Sequence, residues 1–260
     1  MTWQLADKTI SSRMLLGSSL YPSPDIMREA IVKSESDVVT VSLRRHNPAL
    51  QGGASFWSYL NDLSVHVLPN TAGCMSAKEA IVTAQMAREL FNTRWIKLEV
   101  IGNDYTLQPD PIALVEAAKE LCSQGFEVFP YCTEDLVIAE HLVHAGCRIV
   151  MPWAAPIGSG RGPVNLEGLM LLRERLKEVT LIVDAGLGAP SHAAKVMELG
   201  FDGVLLNTAV AQAHDPIKMA SAFAKAVDAG REAYIAGVMR PRDHASASTP
   251  EVGKPFWHQE

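Results

Sequence analysis

Eight short runs of β-branched and aliphatic residues recur along this chain: "RMLLGSS", "DVVTVSL", "VHVLPN", "WIKLEVIG", "EVFPYC", "RIVMPWA", "TLIVDAG" and "DGVLLNTAVA". Between them lie segments such as "SAKEAIVTAQMARELF", "DPIALVEAAKELCSQG", "DLVIAEHLVHAG", "SHAAKVMELG" and "DPIKMASAFAKAVDAG", with apolar residues three and four apart. Several of these begin on a Ser or Asp cap and stop at a Gly, as helices do. A repeated strand, helix, strand order implies parallel pairing, because parallel neighbours need a crossover and the helix supplies it. Eight repeats within 260 residues predict an α/β fold of the (β/α)8 TIM barrel type. The alternative is an open, doubly wound sheet. That fold usually carries G-x-G-x-x-G behind its first strand, and "LLGSSLYPSPD" does not have it.

No composition break or long linker interrupts the first 236 residues, so residues 1–236 are expected to form one barrel domain. From residue 237 to 260 the periodicity disappears and Pro, Ser and charge take over, which reads as a tail, mobile or folded over a surface. The net charge of -6 and the lack of a dense Lys/Arg run argue against nucleic acid and anionic membrane as partners. Small molecules and proteins are the expected ones. Four cysteines without C-x-x-C spacing read as buried thiols of a reducing compartment. The start has no signal-peptide pattern and no apolar run is long enough to span a bilayer, so a cytoplasmic location is expected.

The stretch "RWIKLEVIG" places two opposite charges inside a buried-looking strand. Side chains alternate, so Ile96, Leu98 and Val100 face one way and Lys97 and Glu99 the other. If the apolar trio faces the helices, Lys97 and Glu99 point into the barrel, Glu99 nearer the C-terminal end where enzymes of this fold keep their chemistry. A lysine in a poorly solvated pocket is expected to lose its proton more readily, which makes Lys97 a Schiff-base candidate. A buried ion pair that only fixes packing is the other reading. Asp184 ends the seventh run, with Gly186 and Gly188 opening the loop behind it. The loops after strands seven and eight form a phosphate site in many barrels, so Ala185, Gly186, Asn207 and Thr208 are candidate ligand contacts. Gly158, Ser159 and Gly160 in "MPWAAPIGSGRG" border the same mouth, or form a loop without ligand contacts.

At "LPNTAGC", "KLEVIGND", "VFPYC", "MPWAAPIGSGRG", "VDAGLGAPSHAAKVMELGFDGVLLNTAVAQAHDPIKMASAF" and "AGVMRPRDHASASTP" the sequence resembles bacterial thiazole synthase, an enzyme family of thiamine biosynthesis. The resemblance implies a (β/α)8 barrel that builds thiazole phosphate carboxylate from 1-deoxy-D-xylulose 5-phosphate, dehydroglycine and sulfur. It also implies that the sulfur arrives as the C-terminal thiocarboxylate of a ubiquitin-like sulfur-carrier protein. By the same resemblance Lys97 forms the imine with the sugar ketone, and Glu99 and Asp184 are the acid/base groups. Gly158, Ala185, Gly186, Asn207 and Thr208 then take the phosphate and sugar contacts. A homotetramer is implied as well, and the source of dehydroglycine is left open.

Two other functions stay open from the residues themselves: a class I aldolase or related lysine-dependent sugar-phosphate enzyme, and a catalytically silent phosphate-binding scaffold. The eight histidines show no metal grouping; His141 and His144 are read as helix surface, and His192 as capping, packing or touching ligand. No metal and no organic cofactor are expected. Cys132 is expected to line the site. Arg44 and Arg45, in the loop "RRHNPALQGGASFWSYL", are either solvated or turned toward an acidic partner, and the tail from residue 237 is a candidate entrance for the carrier.

Overall fold

The computed structural model describes residues 2–43, 60, 62–246 and 253, so Arg44, Arg45 and most of the tail lie outside the described residues. Two short strands come first, β1 (Trp3–Leu5) and β2 (Lys8–Ile10), paired antiparallel as a hairpin. The barrel strands follow: β3 (Met14–Gly17), β4 (Val38–Ser42), β5 (His66–Asn70), β6 (Trp95–Leu98), β7 (Glu127–Cys132), β8 (Ile149–Pro152), β9 (Thr180–Asp184) and β10 (Gly203–Leu206). They close in sequence order, β10 pairing back on β3. The described helices are α1 (Pro24–Ser34), α2 (Ala77–Phe91), α3 (Pro111–Ser123), α4 (Leu136–His144), α5 (Leu166–Arg175), α6 (Pro190–Glu198), α7 (Thr208–Ala211) and α8 (Pro216–Ala236). The expected (β/α)8 barrel is therefore present, and all eight apolar runs coincide with barrel strands.

Local chemistry explains where the helices begin. Ser23, Ser76, Asp110, Asp135, Asn165 and Asp215 each accept a hydrogen bond from an amide in the first turn they cap. Pro24, Pro111, Pro190 and Pro216 open four helices at the position where a missing N–H costs nothing. The last helix, α8, runs to Ala236, beyond the "DAG" at which the sequence pattern suggested a stop. It packs between α1 and α6 and so closes the helical ring. Among the described residues, no helix is long and apolar enough to cross a membrane.

Strand alternation divides the core in two. Ile96, Leu98, Val100, Val128, Val150 and Val183 belong to the layer between sheet and helices. Leu15, Val38, Leu68, Trp95, Phe129, Ile149, Ile182 and Leu205 fill the barrel interior. These interior residues cluster toward the N-terminal half of the strands, and the β1–β2 hairpin adds Leu5 and Ile10 beneath them. The hairpin is tied in place by Trp95 Nε1, which donates to Asp7 Oδ1 at 2.7 Å. Polar residues are thereby left to the other end. Leu5 is fully buried in this plug, so Leu5→Ala is expected to lower stability by about 2–5 kcal/mol, read as a shift of the urea midpoint with an unchanged m value.

Cys132 departs from expectation. Tyr131 takes the inward position on β7, which sends Cys132 outward into the layer beneath the helices, away from the cavity. Burial pushes its thiol well above the ordinary range, so it is an inert packing group. Cys122 and Cys147 place their sulfurs 3.9 Å apart as free thiols.

Candidate active site

Above the apolar plug, at the C-terminal end of the strands, the barrel opens into a cavity of about 550 Å³. Lys97, Glu99 and Asp184 line it, although each is at most 6% exposed. Lys97 Nζ lies 2.8 Å from Glu99 Oε1 and 2.7 Å from Asp184 Oδ2. The contact with Glu99 is a directed hydrogen bond, and that with Asp184 is an ion pair. The alternation read from "RWIKLEVIG" thus holds, with the apolar trio on the helix side and the charges inside.

Strand β6 ends at Leu98, so Glu99 sits one residue beyond it. Thr71 carries the ladder further: its hydroxyl donates to the Glu99 carbonyl at 2.7 Å and accepts from the Glu99 amide at 2.8 Å. Its own amide donates to the Lys97 carbonyl at 3.1 Å. A fully buried threonine therefore sets the direction of the glutamate. Tyr131 packs close to the lysine, its ring centroid 5.6 Å from Lys97 Nζ.

The protonation of Lys97 corrects the expectation of a readily lost proton. Burial does oppose its charge, but the carboxylates of Asp184 and then Glu99 outweigh that effect and hold the ammonium above its ordinary range. Asp184 is displaced in the other sense to most paired acids. Burial raises its carboxyl, and the pull of Lys97 does not fully offset this, with like charge from Glu99 adding to the rise. One cation between two acids leaves an excess negative charge in a poorly solvated place. The group therefore holds a proton more tightly than a separate aspartate would.

Behind Asp184 the chain turns sharply. Ala185 and Gly186 both have positive φ, 75° and 78°, and Ala185 is a non-glycine residue held in the left-handed region. A side chain at Gly186 would come within 2.5 Å of the Ala155 amide nitrogen, and one at Gly188 within 2.2 Å of the Gly160 carbonyl. The glycines are needed because two loops pass in backbone contact there. Gly158, Ala185, Gly186, Asn207 and Thr208 all border the cavity, so the structure brings these five ligand candidates to one mouth, whereas Ser159, His192 and Cys132 are not part of its lining. Asn207 lies against Gly17 and donates through Nδ2 to Ser19 Oγ at 2.7 Å. The strand pattern runs short here, since β10 stops at Leu206 and Thr208 already opens α7.

His192 serves the loop. Its Nδ1 accepts from the Gly188 amide at 3.1 Å. His141 and His144 are exposed in the last turn of α4, and among the described residues no three potential metal ligands come together. The opposite wall of the cavity, formed by Ser18, Thr40, Ser42 and Asn70, was missed by the sequence reading. Their position at the ends of "LLGSS", "DVVTVSL" and "VHVLPN" was the available signal, since strand ends face the mouth.

A cationic lysine flanked by two acids, beside a glycine-lined concavity, suits attack on a carbonyl and proton transfer around it. Comparison with known proteins gives this geometry a family. Residues 4–250 match the family described as thiazole biosynthesis protein ThiG. Thiazole synthase of Bradyrhizobium sp. (strain ORS 278) is 64% identical over 252 residues, 97% of each chain. That of Rhodopseudomonas palustris (strain BisB5) is likewise 64% identical over 97% of each chain. Among solved structures, the crystal structure of the Amycolatopsis orientalis BexX/CysO complex matches at 30% identity and a TM-score of 0.82, over 93% of this chain and 98% of that one. With its barrel, its charged floor and relatives matched over nearly the whole length, the chain belongs to the bacterial thiazole synthase family of thiamine biosynthesis.

Proposed function

We propose that the enzyme condenses 1-deoxy-D-xylulose 5-phosphate, dehydroglycine and sulfur into thiazole phosphate carboxylate through an imine on Lys97. The observation that carries this reading is the placement of Lys97 Nζ between two buried acids, 2.8 and 2.7 Å away, at the base of a cavity bordered by the Gly158, Ala185 and Gly186 turns.

Lys97 rests as an ammonium and must release a proton before it attacks the sugar ketone at C2. Asp184 is the receiver we assign, because it is in contact with Nζ and its raised carboxyl accepts a proton more readily than an ordinary aspartate. Once the imine forms, the proton on C3 becomes acidic. Glu99, on the other side of Nζ, removes it, so that carbonyl character moves to C3 and sulfur can attack there. Gly158, Ala185, Gly186, Asn207 and Thr208 hold the phosphate and sugar meanwhile.

Sulfur comes, in this reading, from the C-terminal thiocarboxylate of a small ubiquitin-like carrier whose tail enters the cavity. Support comes from the open C-terminal face and from a solved relative that crystallised as a two-protein complex. The enzyme works as a cytoplasmic homotetramer without metal or organic cofactor, on a chain whose barrel occupies residues 1–236. The test is intact-mass analysis after mixing the protein with deoxyxylulose phosphate and sodium borohydride. One reduced adduct, mapped to the peptide containing Lys97, is the expected result; no adduct at saturating sugar phosphate would return the lysine to the role of a structural ion pair.

A further inference from the structure

The cavity has two unlike walls. Glycine-rich turns after β8 and β9 and the start of α7 form one, and the side chains of Thr40, Ser42 and Asn70 form the other. Thr40 and Ser42 stand two residues apart on β4, so they share its inward face. Ser42 is in register with Asn70, and Asn70 with Lys97. A lateral row of Ser42, Asn70 and Lys97 therefore crosses three neighbouring strands.

This wall presents donors. Asn70 Oδ1 accepts from the Ala72 amide at 3.3 Å, which leaves Nδ2 without a partner among the described residues. Thr40 uses its carbonyl to accept from Ser18 Oγ at 2.7 Å, while its hydroxyl has no such partner among the described residues although the residue is only 6% exposed. The Ser42 hydroxyl is likewise unpaired among the described residues. Thr40 is buried and Ser42 and Asn70 are half-buried beside the cavity, and a ligand that supplies acceptors gives these donors directed partners.

We propose that Thr40, Ser42 and Asn70 bind the carboxylate of the imino acid that condenses with the sugar phosphate. This assignment rests on the function proposed above and adds the place of its second substrate. A carboxylate accepts from hydroxyl and amide donors alike, and an uncharged wall suits its single charge better than the double charge of a phosphate. The chemistry demands the same position. In the thiazole ring the nitrogen is bonded to the sugar carbon that Lys97 held, so the imino acid must approach beside Lys97. Asn70 is the strand neighbour of that lysine. A cavity of about 550 Å³ leaves room for both small reactants.

The test separates the two substrates. Thiazole formation is measured for wild type, Thr40→Val and Asn70→Leu with dehydroglycine supplied from glyoxylate in excess ammonia, and borohydride trapping of deoxyxylulose phosphate is timed for the same three proteins. The expected result is a rise of roughly tenfold in the apparent KM for glyoxylate in each variant, with a smaller change in kcat. Trapping of the sugar phosphate should proceed as in wild type. Thr40→Val conserves side-chain shape and keeps the question answerable if Asn70→Leu fails to fold. A KM unmoved in the folded variants overturns the assignment. A loss that falls on sugar-phosphate trapping also overturns it and gives this wall to the sugar hydroxyls. Absence of trapping in wild type removes the imine reading itself, which distinguishes that failure from a misplaced subsite.

Discussion

Lys97→Ala is expected to eliminate the borohydride adduct and to lower thiazole formation by roughly 10³-fold or more, since both the covalent step and the cation disappear. Lys97→Arg separates those contributions. It keeps a positive charge near Glu99 and Asp184 but has no amine able to form an imine, so it should be as inactive as Lys97→Ala and considerably more stable. The stability effect follows from burial. Glu99 and Asp184 are only 5% and 4% exposed, and removal of the cation between them should cost about 3–5 kcal/mol at neutral pH. That cost should shrink in acid, where one carboxyl takes up a proton. In wild type the folded lysine binds its proton more tightly than the ordinary value of 10.5, so its stabilising contribution is complete below that pH and is lost as pH rises through the higher folded value. Urea unfolding of the three proteins across pH reads all of these effects. An active Lys97→Ala enzyme would exclude the proposed chemistry outright.

Asp184→Asn is expected to lower turnover by about 10²-fold or more, because the amide cannot receive the proton that Lys97 has to release. Borohydride trapping should slow at neutral pH and recover as pH rises, when solvent base takes over. A second signature lies in stability. The folded carboxyl is raised above 3.8, so between that value and its folded one the native state binds more protons than the unfolded state. Stability therefore falls as pH rises through this window, the reverse of an ordinary ion-paired aspartate. Asp184→Asn should lack that component. Urea midpoints of variant and wild type, compared from about pH 4 upward, should diverge with wild type losing stability faster; parallel curves would mean that Asp184 holds no raised proton and is not the receiver.

The barrel was legible because its rules are periodic. Each strand run had to face helices on one side and the interior on the other, and Lys97 between Ile96 and Leu98 could only point inward once those neighbours faced out. The same alternation, had it been applied to "VFPYC", would have put Tyr131 inside and Cys132 outside. The β1–β2 hairpin was not legible, since three-residue strands carry too few alternations to register. Nor was the charge state of Lys97. Burial alone predicts a weakened hold on its proton, but Asp184 lies 87 positions along the chain and its approach depends on the closed barrel. Thr71 belongs to the same class, because a hydroxyl that prolongs a ladder is visible only when the partner strand is present.

The hairpin beneath the barrel makes the reaction chamber a vessel stopped at its base. Among the described residues, Leu5 and Ile10 fill the interior beneath it, so the cavity faces outward at the C-terminal end of the strands. On the proposed chemistry this imposes an order in time. The sugar phosphate must be seated before the carrier's tail fills the neck, and the tail must withdraw before the finished thiazole can pass. On that reading turnover depends on traffic through the neck, where each guest waits for the previous one to clear.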